Sequence, residues 1–257
     1  MMNRTTRSCT ALLLTLAAAT AINGCDDDPL VYQDDPDAAA AYQQLARDWL
    51  RWSQALPYTQ SPIADDTGER CADGQTFDAW MLAGTFGGPT SRTCEIPADT
   101  PLFFPLVNRW IIPGLDPTDL PEDIPGFIEW VKEYFAWQRA HTCALTLVLD
   151  GQPLLGDTAE IDEELYVVVD EPFEVELNDD NWATEYGKQG GVYPLSFIDG
   201  HWALLEPLPP GDHTLEFSAV MCDGAEILFE TSAEYELHVQ SGGWGGWGGW
   251  GDDDDDQ

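Results

Sequence analysis

Asp199 and His201 stand two residues apart in "FIDGHWALLEPLPPGDHTLEFS", and Ser218 follows beyond a Pro-rich bend. Residues two apart share one face of a strand. An Asp, a His and a Ser brought together can activate a hydroxyl nucleophile, the imidazole taking its proton and the carboxylate fixing the tautomer. A hairpin centred on Pro209 and Pro210 sets His201 opposite Ser218 and Glu206 opposite His213. Nothing in the sequence supplies an oxyanion hole, so this exported-hydrolase reading stands as the weak alternative to a chain with no catalytic residue. Carboxylates offer a second chemistry: Asp65, Asp66, Glu69 and Asp73 crowd a Gly-containing loop beside Cys71, and residues 178–181 form another cluster. Calcium takes six to eight oxygens, often from such loops. Ca²⁺ is therefore the one cofactor the sequence suggests, although 47 acidic residues in 257 also crowd by chance.

Other chemistry is missing from the sequence. No G-x-S-x-G, Walker A, H-E-x-x-H, dinucleotide glycine fingerprint or EF-hand loop occurs. His141, His201, His213 and His238 are scattered, and the cysteines lie too far apart for a C-x-x-C zinc or redox site. The full chain has a formal charge of −37. Such a surface repels nucleic acid and anionic headgroups, which excludes DNA and RNA as partners.

The N-terminus carries an address. Arg4 and Arg7 precede an apolar stretch, Ala11 to Ile22, with no acid before Asp26, the layout of an export signal. That stretch is shorter than the roughly 20 residues a spanning helix needs. Ala19-Thr20-Ala21 fits an ordinary signal peptidase site, whereas Ile22-Asn23-Gly24-Cys25 resembles the bacterial lipobox. Cleavage after Ala21 leaves five cysteines, one of them unpaired in an oxidising compartment; lipidation of Cys25 leaves Cys71, Cys94, Cys143 and Cys222 to pair. Residues 1–24 thus read as a lipoprotein signal peptide and Cys25 as a membrane anchor, since two or more acyl chains hold firmly. A secreted form is the alternative. The sequence places the protein in the cell envelope without distinguishing inner from outer membrane.

Composition divides what remains. Residues 25–35 are an acidic tether and 241–257, "SGGWGGWGGWGDDDDDQ", a tail from which no core can be built. Between them, 36–240 is the folded region, with a helix- and loop-rich part at 36–140 and a β-sandwich part at 141–240. Asp35 can cap a first helix in which Tyr42, Leu45, Trp49, Trp52 and Leu56 form one apolar stripe before Pro57 stops it. Trp80 to Phe86 and Leu102 to Val107 read as buried strands. A second helix runs from about Pro125 to Ala140, with Ile128, Val131, Phe135 and Gln138 on one face. From His141 the period changes to two, and short strands separated by turn clusters follow. In "HTLEFSAVM", Leu215, Phe217, Ala219 and Met221 alternate with polar residues, while Cys222 falls out of phase, which requires a bulge or a strand end. The fold class is α+β, mainly β, with a C-terminal antiparallel β-sandwich and two helices in the N-terminal half. Four cysteines permit three connectivities. Cys71 with Cys94 clips a loop-rich segment, and Cys143 with Cys222 joins distant strands.

Five short patterns carry a resemblance: Trp49 to Trp52 (W-x-x-W), Thr67 to Gln75 (TG-x-x-C-x-x-GQ), Trp80 to Gly88 (W-x-LAGT-x-GG), Arg92 to Ala98 (R-x-C-x-[VI]-PA) and Leu102 to Asn108 (LFFP-x-x-N). They cover about half of the folded region. Here the chain resembles an uncharacterised family of exported bacterial and archaeal proteins. The resemblance implies export and architecture and no particular chemistry. The sequence therefore reads as a lipid-anchored binding or structural module for a glycan, the cell wall or a protein.

Overall fold

The computed structural model describes residues 29–33, 36–155 and 163–241. The segment read as a signal peptide, Cys25, most of the expected tether, Asp35 and the expected GGW/Asp tail from residue 242 onward lie outside them. In chain order the elements are β1 (Leu30–Val31), α1 (Pro36–Ala55), β2 (Trp80–Met81), β3 (Gly88–Ile96), β4 (Leu102–Ile111), α2 (Ile124–Ala140), β5 (Thr142–Leu149), β6 (Gln152–Pro153), β7 (Tyr166–Leu177), β8 (Gly191–Leu205), β9 (Gly211–Asp223) and β10 (Glu226–Val239).

The strands form two five-stranded sheets. In the first, β8 pairs with β4 along one edge and with β1 and then β7 along the other, all antiparallel, while β2 joins β4 in parallel. The second has the order β3-β10-β9-β5-β6, with β3 parallel to β10 and the remaining pairs antiparallel. The α+β, mainly β class is thus correct, and the sandwich is mixed rather than purely antiparallel. Strands from both halves of the folded region enter both sheets.

Three layers follow from the burial pattern. Between the sheets, Phe104, Leu106, Ala203 and Leu205 meet Ile96, Leu147, Leu215, Phe217, Tyr235 and Leu237. On the other face of the first sheet, α1 packs Tyr42, Ala46 and Trp49 against Met81, Phe103, Val167, Ile198 and Trp202. Trp202 stacks on Phe103 at 5.0 Å and meets the edge of Trp49 at 5.4 Å. Full burial of a side chain such as Phe103 contributes roughly 1.5–3 kcal/mol. Coverage on both faces explains why Leu102 to Val107 is buried without interruption. By contrast, β9 buries Leu215, Phe217, Ala219 and Met221 and turns Glu216 outward, because one face of the second sheet is open.

α2 starts one residue before the expected position. Asp123 caps it, its side chain accepting from the Gly126 N–H at 3.1 Å. Val131 and Phe135 cover Leu195 and Phe197 at the end of the first sheet. Two disulfides, Cys71–Cys94 and Cys143–Cys222, close the chain at Cα separations of 5.8 and 6.0 Å. The phase problem at Cys222 is solved in the strands that flank it: the β5/β9 register shifts between Thr142 and Ala144, and the β10/β9 register between Ile227 and Phe229.

Candidate functional site

The suggested Asp199, His201 and Ser218 set does not assemble. Asp199 and His201 do share a buried face of β8, opposite Arg109 and Val107 of β4. Ser218 lies in the other sheet, opposite Ser232 and Thr146, with its hydroxyl 2.6 Å from that of Thr146. The reason is topological. Residues 206–210 carry the chain from one sheet to the other instead of turning a hairpin, so β8 pairs with β4 and β7 and never with β9. His213 turns to Asp150, with Nδ1 2.7 Å from the carboxylate, and not to Glu206.

The acidic loop is likewise committed to its own backbone. Asp65 accepts from the N–H and hydroxyl of Thr67 and from the Arg70 N–H at 2.7–2.9 Å. Burial alone would raise its carboxyl, but those bonds and the Arg92 charge hold it below the usual range. Asp73 pairs with Arg70 at 3.3 Å. Among the described residues no group of three or more His, Cys, Asp or Glu is arranged to hold a metal ion, and Asp65, Asp66, Glu69 and Asp73 do not form a ligand set.

The residues that the sequence patterns singled out converge elsewhere. β2 pairs with β4 only at Leu102 and Phe103, and the rest of that edge of β4 borders a cleft of about 330 Å³. Its walls include Trp49, Gly84, Thr85, Phe86, Pro105, Asn108, Arg109, Trp110, Trp182 and Phe229. Trp182 is the centre of an aromatic group. Phe86 lies 5.2 Å from it, Trp110 5.1 Å in an edge contact, and Tyr186 5.7 Å. Phe86 is 51% exposed and Tyr186 72%, so the group opens to solvent. Sequence reading missed Trp182, Arg109, Trp110 and Phe229. Arg109 and Trp110 directly follow the LFFP-x-x-N pattern, and Trp182 follows Asn181, whose side chain caps the short helix at Trp182–Tyr186 by accepting from the Ala183 N–H at 2.8 Å.

Physical chemistry explains why the pattern residues build this wall. Arg92, 3% exposed, donates to the carbonyls of Ile63, Asp65, Ala83 and Gly84 and to the Tyr235 hydroxyl, at 2.6–3.3 Å. It thereby fixes Ala83 and Gly84, within the run Trp80 to Phe86 that reads from sequence as a buried strand, in an irregular path. Trp49 donates to the Leu82 carbonyl at 2.9 Å. Gln75 donates to the Cys71 and Met81 carbonyls and accepts from the Met81 N–H. Thr85 accepts from the Gly87 N–H at 3.0 Å and meets Thr231 at 2.8 Å.

Behind the cleft lies a buried polar centre that shares Val107, Asn108 and Arg109 with it. Tyr166 donates to Asp199 Oδ2 in a short hydrogen bond, and the Arg139 guanidinium stacks on the Tyr166 ring at 4.2 Å. Asp199 Oδ1, both ring nitrogens of His201, Asn108 Nδ2 and Gln138 Oε1 are buried without a hydrogen-bond partner, around a cavity of about 10 Å³. Burial pushes the Asp199 carboxyl up to about 7, against the Tyr166 bond and the charges of Arg109 and Arg139. Burial and then the Arg139 charge push the His201 imidazole down to about 3. Tyr166 is driven upward by burial and the Asp199 charge. At neutral pH, His201 is therefore uncharged and Asp199 sits near its midpoint. Gly200 allows this packing, because at φ +148° a Cβ would fall 2.2 Å from the Val107 carbonyl oxygen.

No helix among the described residues is long and apolar enough to cross a membrane. No protein-family model matches the chain, and no curated protein matches it.

Proposed function

We propose that this chain is an exported protein anchored through lipidated Cys25, whose folded region is a glycan-binding module that seats a sugar ring in the Trp182 cleft. One observation carries the binding reading: Trp49, Gly84, Thr85, Pro105 and Asn108, all drawn from the short sequence patterns, line one solvent-open cleft beside a cluster of aromatic rings. Pockets of 300–1,000 Å³ with apolar walls and a few polar groups suit small ligands. Exposed aromatic faces suit the apolar C–H face of a sugar, whose hydroxyls need the remaining polar groups. Two disulfides agree with an oxidising compartment, and their use of all four cysteines beyond Cys25 leaves that residue for the anchor.

The test is intrinsic tryptophan fluorescence titrated with a panel of neutral and acidic oligosaccharides. A saturable change is expected, weakened about tenfold or more by Trp182→Ala, with the melting temperature of the variant checked in parallel. A panel that gives no saturable response overturns the binding reading. Intact mass of the mature chain tests the anchor: three acyl chains on a protein starting at Cys25 are expected, and an unmodified chain starting at Ile22 overturns it.

A further inference from the structure

We propose that the sugar taken by the cleft is acidic, and that its carboxylate is held by the Arg109 guanidinium. This rests on the glycan-binding reading and adds the charge of the ligand.

Arg109 is half-buried on β4 and lines the cleft. Its guanidinium stacks on the Phe229 ring at 4.5 Å, and Nη2 donates to the Met221 thioether at 3.7 Å. A ring face and a sulfur are weak acceptors for a group with five N–H donors. Among the described residues no oxygen takes a hydrogen bond from Arg109. Other arginines of the molecule are answered: Arg51 pairs with Asp48, Arg70 with Asp73, and Arg92 is enclosed by carbonyls. Arg47, like Arg109, is seen against a ring, Phe173 at 6.0 Å, but it lies on α1 and does not line the cleft, so Arg109 is the guanidinium that the cleft itself presents.

The neighbours of Arg109 point the same way. Asp199 is directly opposite in the β4/β8 register, but its Oδ2 is held by Tyr166 and burial keeps its carboxyl partly protonated, so it is an incomplete counter-charge. The two threonine hydroxyls on the cleft wall, Thr85 and Thr231, are already engaged with each other, and Thr85 also with Gly87 and Gly88. The Arg109 guanidinium is thus the donor left over on this wall, and a planar carboxylate matches its fork.

The full chain is titrated with trigalacturonate, its methyl ester, a neutral galactose trimer and a sulfated galactose trimer, in about 0.15 M salt, where screening over roughly 8 Å mutes the acidic surface. The acid is expected to bind at least tenfold tighter than its ester. Arg109→Gln abolishes that ratio while the neutral trimer still binds, and Arg109→Lys restores part of it. Equal affinities for acid and ester, or a ratio unchanged in Arg109→Gln, overturn the inference and leave the sugar site standing. Preference for the sulfated trimer overturns the carboxylate assignment. Absence of binding by all four sugars overturns the inference and the binding reading together. Binding of the neutral trimer by each variant reports that the cleft is still formed.

Discussion

Arg92 and the Asp199–His201–Arg109 centre are both built from charged or titratable groups inside a β-sandwich, and they are finished differently. Every nitrogen of the Arg92 guanidinium is answered, by four carbonyls and the Tyr235 hydroxyl. At the other centre one Asp oxygen and both His nitrogens have no partner, and Arg109 makes do with a sulfur and a ring. A buried polar group without a partner destabilises the fold by about 1–3 kcal/mol. The first centre is a staple that holds loops to strands. The second holds unused hydrogen-bonding capacity beside an open cleft.

The largest effect that separates the two centres is expected at Arg92. Arg92→Met keeps the volume and removes five hydrogen-bonded partners, leaving the carbonyls of residues 63, 65 and 84 without a side-chain donor while the Ala83 carbonyl keeps the Tyr235 hydroxyl. A loss of roughly 4 kcal/mol in urea unfolding is expected. Arg92→Lys, which retains charge without the planar fork, should lose about half of that. Losses under about 1 kcal/mol for Met would break the contrast, because the staple would then be no more consequential than the unanswered centre.

Much of this frame is legible in the sequence, and the gaps have physical causes. α1 and α2 announce themselves through 3.6-residue periodicity, and β9 through strict alternation against one open face. β3 is invisible to the same reading because two of its inward residues are Arg92 and Cys94, so its period-two pattern is not an apolar one. Trp80 to Phe86 reads as a strand since it is apolar, yet only Trp80 and Met81 pair; beyond them Arg92 and Trp49 take the carbonyls of residues 82–84. The cleft escapes for a further reason. Its walls come from positions as far apart as Trp49 and Phe229, and pairing at that distance depends on which sheet each strand enters. That same dependence separates His201 from Ser218.

A subtler signature is expected from pH. The Asp199 carboxyl, raised in the folded state to about 7 from 3.8, contributes stability that is full below pH 3.8 and lost as pH rises to 7. The His201 imidazole, lowered to about 3 from 6.5, contributes stability that is full above pH 6.5 and lost as pH falls toward 3. Arg109, Arg139 and Tyr166 are the charged or titratable groups facing Asp199. Between about pH 4 and 6.5 the two slopes oppose, each near 1.4 kcal/mol per pH unit at most. Asp199→Asn leaves the imidazole alone, so its stability relative to the native chain should fall steadily on acidification. His201→Gln should do the reverse. Melting curves in parallel buffers measure both, and difference profiles that are flat for the two variants would show that neither group is as isolated from solvent as the geometry requires.

The smallest effect is expected at Ser218, which sharpens the comparison from outside. Its hydroxyl has a partner in Thr146, as the Arg92 nitrogens have theirs, but the pair lies on the open face of the second sheet, where water replaces either group readily. Ser218→Ala should shift stability by no more than about 0.5 kcal/mol and leave sugar titrations unchanged. Partnership alone therefore does not make a staple. What distinguishes Arg92 is that it is itself buried and that removing it takes the donor from the carbonyls of residues 63, 65 and 84 at once, and what distinguishes Asp199 and His201 is that Asp199 Oδ1 and both His201 ring nitrogens are without a partner already. A Ser218→Ala variant that lost stability on the scale of Arg92→Met would mean that hydrogen bonding on the outer face, and not burial, decides which polar contacts hold this fold.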